Sequence, residues 1–229
     1  MTIEIPIQGT SGVSGLWLPG RSARACLVLA HGAGADMRHR SMAALAEGLA
    51  GRGISTLRFQ FPFMERGSRR PDSPAVAHAA VRAAVAAAAQ KAPRLPLFAG
   101  GRSYGGRMTS QAQALEPLQG VRGLVFFAFP LHPAGKPEKA SDRARHLAEV
   151  KLPMLFLQGT RDALAETKLL RPVEKTLGKR ATLTLAADAD HAFHVPARSG
   201  RSDAEVLDAL LDAAAAWMVS QTPSHRPRA

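Results

Sequence analysis

The chain has 229 residues, 46% of them hydrophobic, and carries 30 Lys and Arg against 18 Asp and Glu, a formal net charge of +12. That length favours one domain with a sizeable core. No apolar run approaches the roughly 18 residues that span a bilayer, and a single cysteine, Cys26, excludes a disulfide within the chain. The opening Met1-Thr2-Ile3-Glu4-Ile5-Pro6 lacks the basic region and apolar core of a signal peptide, so the cytoplasm is the expected compartment. The basic residues are scattered rather than blocked, and with one tyrosine they are not interleaved with stacking aromatics. Nucleic acid and membrane are therefore not the expected partners, and the charge is read as a property of the surface.

Residues 2–8 and 14–18 are predicted as a pair of strands around the turn Gln8-Gly9-Thr10-Ser11-Gly12. Ala25 to Ala30 is a continuous apolar run, which suits a strand covered on both faces. Cys26 opens that strand and reads as an inert core thiol. The run ends in His31-Gly32-Ala33-Gly34-Ala35-Asp36, where small residues let the backbone approach a ligand. His31 is expected to shape this loop, and Asp36 to cap the loop or the next helix. Ser41 to Leu49 form an amphipathic helix and Ile54 to Phe59 the next strand. After it, Gln60 to Pro71 form a loop at the edge of an α/β sheet where ligands bind. Phe61, Phe63 and Met64 are expected to line a pocket there, with Arg66, Arg69 and Arg70 at its rim. The alternative is that the aromatics fill the core and the arginines are solvated.

Ser73, as N-cap, and Pro74 start a helix that runs to about Gln90. The short strand Leu95 to Ala99 follows, and a helix opens at Arg107. Between them Gly101-Arg102-Ser103-Tyr104-Gly105 matches G-x-S-x-G in the context that motif requires, strand before and helix after. Such an elbow presents the serine hydroxyl at the strand's carboxyl end, above a helix N-terminus that favours developing negative charge. A strand is predicted over Val121 to Ala128, then an irregular loop containing His132, one helix near Ser141 to Val150, and a strand over Met154 to Gln158. The spacing leaves no room for a large lid. Leu164 to Leu177 is predicted as a helix, Ala181 to Ala186 as the last strand and Ser202 to Val219 as the last helix. Residues 1–219 are read as one domain and 220–229 as a disordered tail.

A serine hydroxyl is a poor nucleophile unless a base takes its proton during attack, and an imidazole base needs a carboxylate to hold its tautomer. Asp162 lies just beyond one strand end and His191 just beyond the last, which completes the order Ser…Asp…His. Ser103 is thus the expected nucleophile, His191 the base and then acid, and Asp162 the orienting carboxylate. His194 is the rival base. Asp188 and Asp190 are rival acids, but flank the histidine too closely in sequence to reach its far ring nitrogen. The backbone amides of Ala33 and Tyr104 are expected to hold the oxyanion, with the donor in the His31–Gly34 loop open by one residue. No metal-ligand spacing such as H-E-x-x-H is present, so neither a metal nor an organic cofactor is expected.

From Ala25 to about Val219 the chain resembles the α/β-hydrolases. His31-Gly32-Ala33-Gly34, Arg58-Phe59-Gln60-Phe61-Pro62, Gly100 to Arg107 and Asp190-His191-Ala192-Phe193 look like one small branch of them. That branch is similar to dienelactone hydrolases, and includes a testis-expressed hydrolase-like protein and the hydrolase-like domain of a histone-acetyltransferase complex subunit. The resemblance implies an α/β-hydrolase fold: a mostly parallel central sheet of about seven to eight strands with helices on both faces. It also supports the Ser103, Asp162 and His191 assignment. Dienelactone hydrolase proper has cysteine where this chain has Ser103. The expected function is hydrolysis of a small ester or thioester, with an anionic substrate suggested by the basic rim. The alternative is a hydrolase fold used as a binding or scaffold module.

Overall fold

The computed structural model describes residues 1–9 and 11–222. Eight strands form one sheet: β1 (Thr2–Ile5), β2 (Val13–Leu18), β3 (Ala25–Ala30), β4 (Ile54–Phe59), β5 (Leu97–Arg102), β6 (Val121–Phe127), β7 (Met154–Gly159) and β8 (Ala181–Ala186). Their order is β1-β2-β4-β3-β5-β6-β7-β8. The β1–β2 and β2–β4 pairs are antiparallel and all others parallel. This is the mostly parallel α/β-hydrolase sheet read from the sequence.

The apolar runs become strands because both sheet faces are covered. Ala25, Leu27 and Leu29 enter one core layer, and Cys26, Val28 and Ala30 the other, as a side-chain period of two dictates. The first layer packs against α1 (Arg40–Gly51) and α7 (Asp203–Ser220), through residues such as Leu45, Leu49, Leu210 and Leu211. The second packs against α3 (Pro74–Lys91) and α4 (Tyr104–Leu115). The same layer takes Phe63 of α2 (Pro62–Glu65), Ala140 and Ala144 of α5 (Ala140–Ala144) and Leu170 and Leu177 of α6 (Thr167–Leu177). Phe126, Phe129 and Phe156 pack together inside the second layer, Phe129 edge to face on Phe156 and Phe126 tilted against both. Burying each such ring stabilises the fold by about 1.5–3 kcal/mol. The Cys26 thiol is buried in the same layer, and burial pushes its pKa up to about 12, so it stays protonated and unreactive.

Several boundaries differ from the sequence reading. β1 stops at Ile5, and Thr10 of the expected turn lies outside the described residues. β5 runs to Arg102, three residues further than predicted, because its register with β6 pairs Arg102 with Phe127. The helix near Ser141 to Val150 is α5 followed by a 3-10 turn over Arg145–Glu149. Excursions of this size between β6 and β7 form no lid. Helix α6 starts at Thr167 rather than Leu164, because Asp162 takes the Leu164 N–H into a turn of its own. Ser73 holds the N-cap position of α3 but makes no capping bond. The last helix includes Ser220, and residues 223–229 of the expected tail lie outside the described residues.

The parallel registers align the carboxyl ends of the central strands. Ala30 of β3 lies beside Phe59 of β4 and Gly101 of β5, and Gly159 of β7 beside Ala186 of β8. His31, Ser103, Asp162 and the segment after β8 therefore emerge along one edge.

Candidate active site

Ser103 sits between β5 and α4 with φ 50° and ψ −119°, a conformation L-residues rarely adopt. Its N–H is tied to the carbonyl of Phe127 at 3.0 Å. Two glycines make the turn possible. A Cβ on Gly101 would lie 2.4 Å from the Ala30 carbonyl oxygen, and one on Gly105 2.4 Å from the same oxygen and 2.5 Å from that of His31. Helix and strands thus approach more closely than any side chain allows, and Ser103 is lifted to the sheet edge.

There it meets His191. The imidazole Nε2 lies 2.8 Å from Ser103 Oγ, and Nδ1 lies 2.7 Å from Asp162 Oδ2. The network assigns the tautomer: Nδ1–H donates to the carboxylate, which leaves Nε2 to accept the serine hydroxyl proton. The Asp162 side chain is fully buried, and that of His191 is 26% exposed. Burying a carboxylate is costly unless its lone pairs are occupied. Here Oδ1 accepts the Leu164 N–H at 2.8 Å, and Oδ2 accepts from Gln158 Nε2 as well as from His191. Gln158 is itself fully buried at the end of β7, and its Oε1 has no partner among the described residues.

The loop after β3 borders Ser103. A methyl group on Gly32 would lie 3.8 Å from Ser103 Cβ and 3.7 Å from the Arg102 carbonyl oxygen. His31 is buried and holds this loop: Nδ1–H donates to the Gly32 carbonyl at 2.7 Å and Nε2 accepts the Phe61 N–H at 3.0 Å. Burial lowers its pKa, which keeps it neutral and able to do both. The Ala33 N–H makes no backbone hydrogen bond among the described residues. That of Tyr104, first residue of α4, has no acceptor within its helix.

The structure brings Ser103, His191 and Asp162 together and leaves the alternatives outside. His194 is exposed and its Nδ1 engages Asp203 at 2.9 Å. Asp190 Oδ1 accepts the N–H groups of Ala192 and His194, which shapes the loop that carries His191. Asp188 bends the chain after β8 at φ 57°. His132 is a buried loop residue whose Nδ1 lies 2.9 Å from the Pro133 carbonyl oxygen. Asp36 caps its own loop through the Arg38 N–H, and α1 is capped by His39 instead.

The expected pocket residues are placed differently. Phe61 and Phe63 are buried in the core, with ring centroids 5.3 and 6.2 Å from that of Tyr104, and Met64 is half-buried against the same cluster. Two features set this: Pro62 starts α2 directly after β4, and the Phe61 N–H is taken by His31 from the loop after β3, so both rings pack against Tyr104 in the core. Arg66 pairs with Asp72 at 2.5 Å, and Arg69 and Arg70 are exposed. Two residues near the reacting groups were not singled out in the sequence, Gln158 and Arg102. Arg102 Nη2 donates to the His191 carbonyl at 3.3 Å, tying the elbow to the histidine loop. Among the described residues, no group of three or more His, Cys, Asp or Glu is placed to hold a metal ion, and no helix is long and apolar enough to cross a membrane.

Comparison with known proteins follows the same lines. The alpha/beta hydrolase domain family matches residues 23–219. A dienelactone hydrolase from Anabaena variabilis superposes with a TM-score of 0.77 at 20% identity, over 96% of each chain. An α/β serine hydrolase homologue from Coxiella burnetii gives 0.74 at 17% identity, over 93% of this chain and 96% of that one. A lidless α/β serine hydrolase from Xanthomonas campestris gives 0.71 at 20% identity, over 94% of each. At such identities the likeness is one of fold.

Proposed function

The chain belongs to the alpha/beta hydrolase domain family, and from that premise we propose that it is a serine hydrolase cleaving a small ester or thioester through an acyl-enzyme. One observation carries the reading: the continuous hydrogen-bond chain from Ser103 Oγ through His191 to buried Asp162. Ser103 Oγ attacks the substrate carbonyl carbon as its proton passes to His191 Nε2. Asp162 holds the imidazole in the accepting tautomer and offsets the charge of the imidazolium. The N–H groups of Tyr104 and Ala33 receive the oxyanion. Each such donor is worth about 2.7–4 kcal/mol of transition-state stabilisation. The tetrahedral species collapses, His191 returns the proton to the leaving oxygen or sulfur, and the acyl group stays on Ser103. Water, deprotonated by His191, then attacks the acyl carbonyl and regenerates the serine.

This chemistry calls for no metal or organic cofactor. The buried lone thiol fits a reducing compartment such as the cytoplasm, and the net positive charge fits an anionic substrate. The test is turnover of a panel of short-chain esters and thioesters by the native protein and by Ser103→Ala. Hydrolysis that vanishes in the variant supports the mechanism, and equal turnover by both rules it out. One observation favours the second reading, a hydrolase fold serving as a binding or scaffold module: the burial of Phe61 and Phe63 in the core, which keeps both from lining an acyl pocket. Under that reading no ester in the panel is cleaved.

A further inference from the structure

Beside the reacting groups lies a groove of about 620 Å³, bordered by His39, Arg40, Ser41, Arg102, His194 and Asp203. A smaller recess, also bordered by Arg102, deepens one side of it toward Phe193. The size of the groove falls within the range of small-molecule sites, about 300–1,000 Å³. Its place is set by the elbow and the histidine loop. Arg102 directly precedes Ser103, and Ala192, which also borders the groove, directly follows His191.

The lining is unbalanced in charge. Asp203 is its one carboxylate, and both of its oxygens are engaged, by His194 Nδ1 and by the Val195 N–H. Asp190, at the neighbouring turn, accepts the Ala192 and His194 N–H groups through Oδ1, and it and Asp162 attract the Arg102 guanidinium only from beyond ion-pair distance. Arg40 is exposed and has no partner among the described residues. Arg102 is half-buried, with no carboxylate within ion-pair distance among those residues and a single hydrogen bond, to the His191 carbonyl. Holding a guanidinium partly out of water without a carboxylate is costly. The remaining N–H groups of its fork match the oxygens of a carboxylate or phosphate. An anion there completes the pairing that the protein leaves open.

We propose that this groove is a subsite for the anionic end of the substrate, a carboxylate or phosphate on one half of the ester, held by Arg102 and Arg40. The proposal rests on the hydrolase reading and extends it by giving the anionic group of the substrate a site and the residues that hold it.

Four esters test it: phenyl acetate, phenyl hemisuccinate, 4-carboxyphenyl acetate and 4-acetoxyphenyl phosphate. They place no anion, a carboxylate on the acyl half, a carboxylate on the leaving half and a phosphate on the leaving half. The readout is the ratio of kcat/KM for each anionic ester to that for phenyl acetate, which is compared between the native protein and Arg40→Glu. At least one ratio is expected to fall about tenfold or more in the variant, given the reversal of a charge at the binding anion. The anionic ester that responds identifies the half and the group. The same reversal at Arg122, exposed at the start of β6 on the opposite sheet edge, is expected to leave every ratio unchanged. Ratios within about twofold for all three anions overturn the subsite.

A binding measurement keeps the two readings apart. Ser103→Ala protein is titrated calorimetrically with phenyl hemisuccinate, 4-carboxyphenyl acetate and 4-acetoxyphenyl phosphate. Saturable binding that Arg40→Glu weakens supports the subsite even if no ester is turned over. Absence of saturable binding by all three probes overturns it, even where phenyl acetate is hydrolysed.

Discussion

The strain at Ser103 makes a prediction that needs no substrate. At φ 50° and ψ −119° the residue sits where a Cβ is penalised by its own backbone. Such conformations cost about 1–3 kcal/mol. Ser103→Gly removes the Cβ and with it the penalty. Glycine also loosens the unfolded chain, which takes back about 0.4–1 kcal/mol. The hydroxyl's bond to His191 Nε2, at 2.8 Å and partly exposed, is lost as well. The net expectation is a stabilisation of about 1 kcal/mol, or about 2–4 °C in Tm for a chain of this size. Ser103→Ala is the control. It loses the same hydrogen bond but keeps the Cβ, so it is expected within about 0.5 kcal/mol of the native protein. Urea unfolding read by far-ultraviolet circular dichroism, with m held constant, measures both. A glycine variant no more stable than the alanine variant would refute the strained elbow, and with it the view that stability is given up there for presentation of the hydroxyl.

Other outcomes follow from the same geometry. Gln158→Leu removes a donor to the buried Asp162 carboxylate, a bond of the class worth about 1.5–3 kcal/mol, while also removing the orphaned Oε1. Its urea midpoint is expected to move little and its kcat/KM to fall about tenfold or more, and unchanged kcat/KM would show that Gln158 does not position Asp162. Gly105→Ala drives a methyl group into the Ala30 and His31 carbonyl oxygens and should destabilise the protein by about 1–3 kcal/mol or more by urea titration. His146, whose Nε2 lies 2.8 Å from Ser110 Oγ, has its pKa lowered by burial from 6.5 to about 4. The unfolded chain therefore binds a proton that the folded one refuses, so this residue costs stability as pH falls from about 6.5 to about 4. The slope is at most about 1.4 kcal/mol per pH unit. His146→Gln should flatten stability over that window, and an unchanged slope would contradict the burial argument.

The strands were legible because parallel strands buried on both faces read as unbroken apolar runs, and Ala25 to Ala30 and Met154 to Leu157 are plain examples. The elbow was legible because its glycines answer a steric demand at fixed spacing. The fate of Phe61 and Phe63 was not. It depends on a bond from His31 to an amide thirty residues away, which no local pattern carries. Gln158 was hidden for a similar reason. At the polar end of an apolar strand it looks like a terminator, and only the turn that folds Asp162 back reveals its partner. Arg102 occupies a variable position of the motif, so its bond to the histidine loop, like the groove beside it, arises only once β5 and the segment after β8 are neighbours at the sheet edge.

The central claim is that Ser103 is an activated nucleophile beside a formed oxyanion site. The most direct measurement is intact mass after treatment of native protein and Ser103→Ala with a fluorophosphonate, which phosphonylates only a serine that a base has activated. The expected result is a single adduct on the native protein and none on the variant. A well-folded native protein that gains no adduct, or an adduct that persists in Ser103→Ala, would contradict the account.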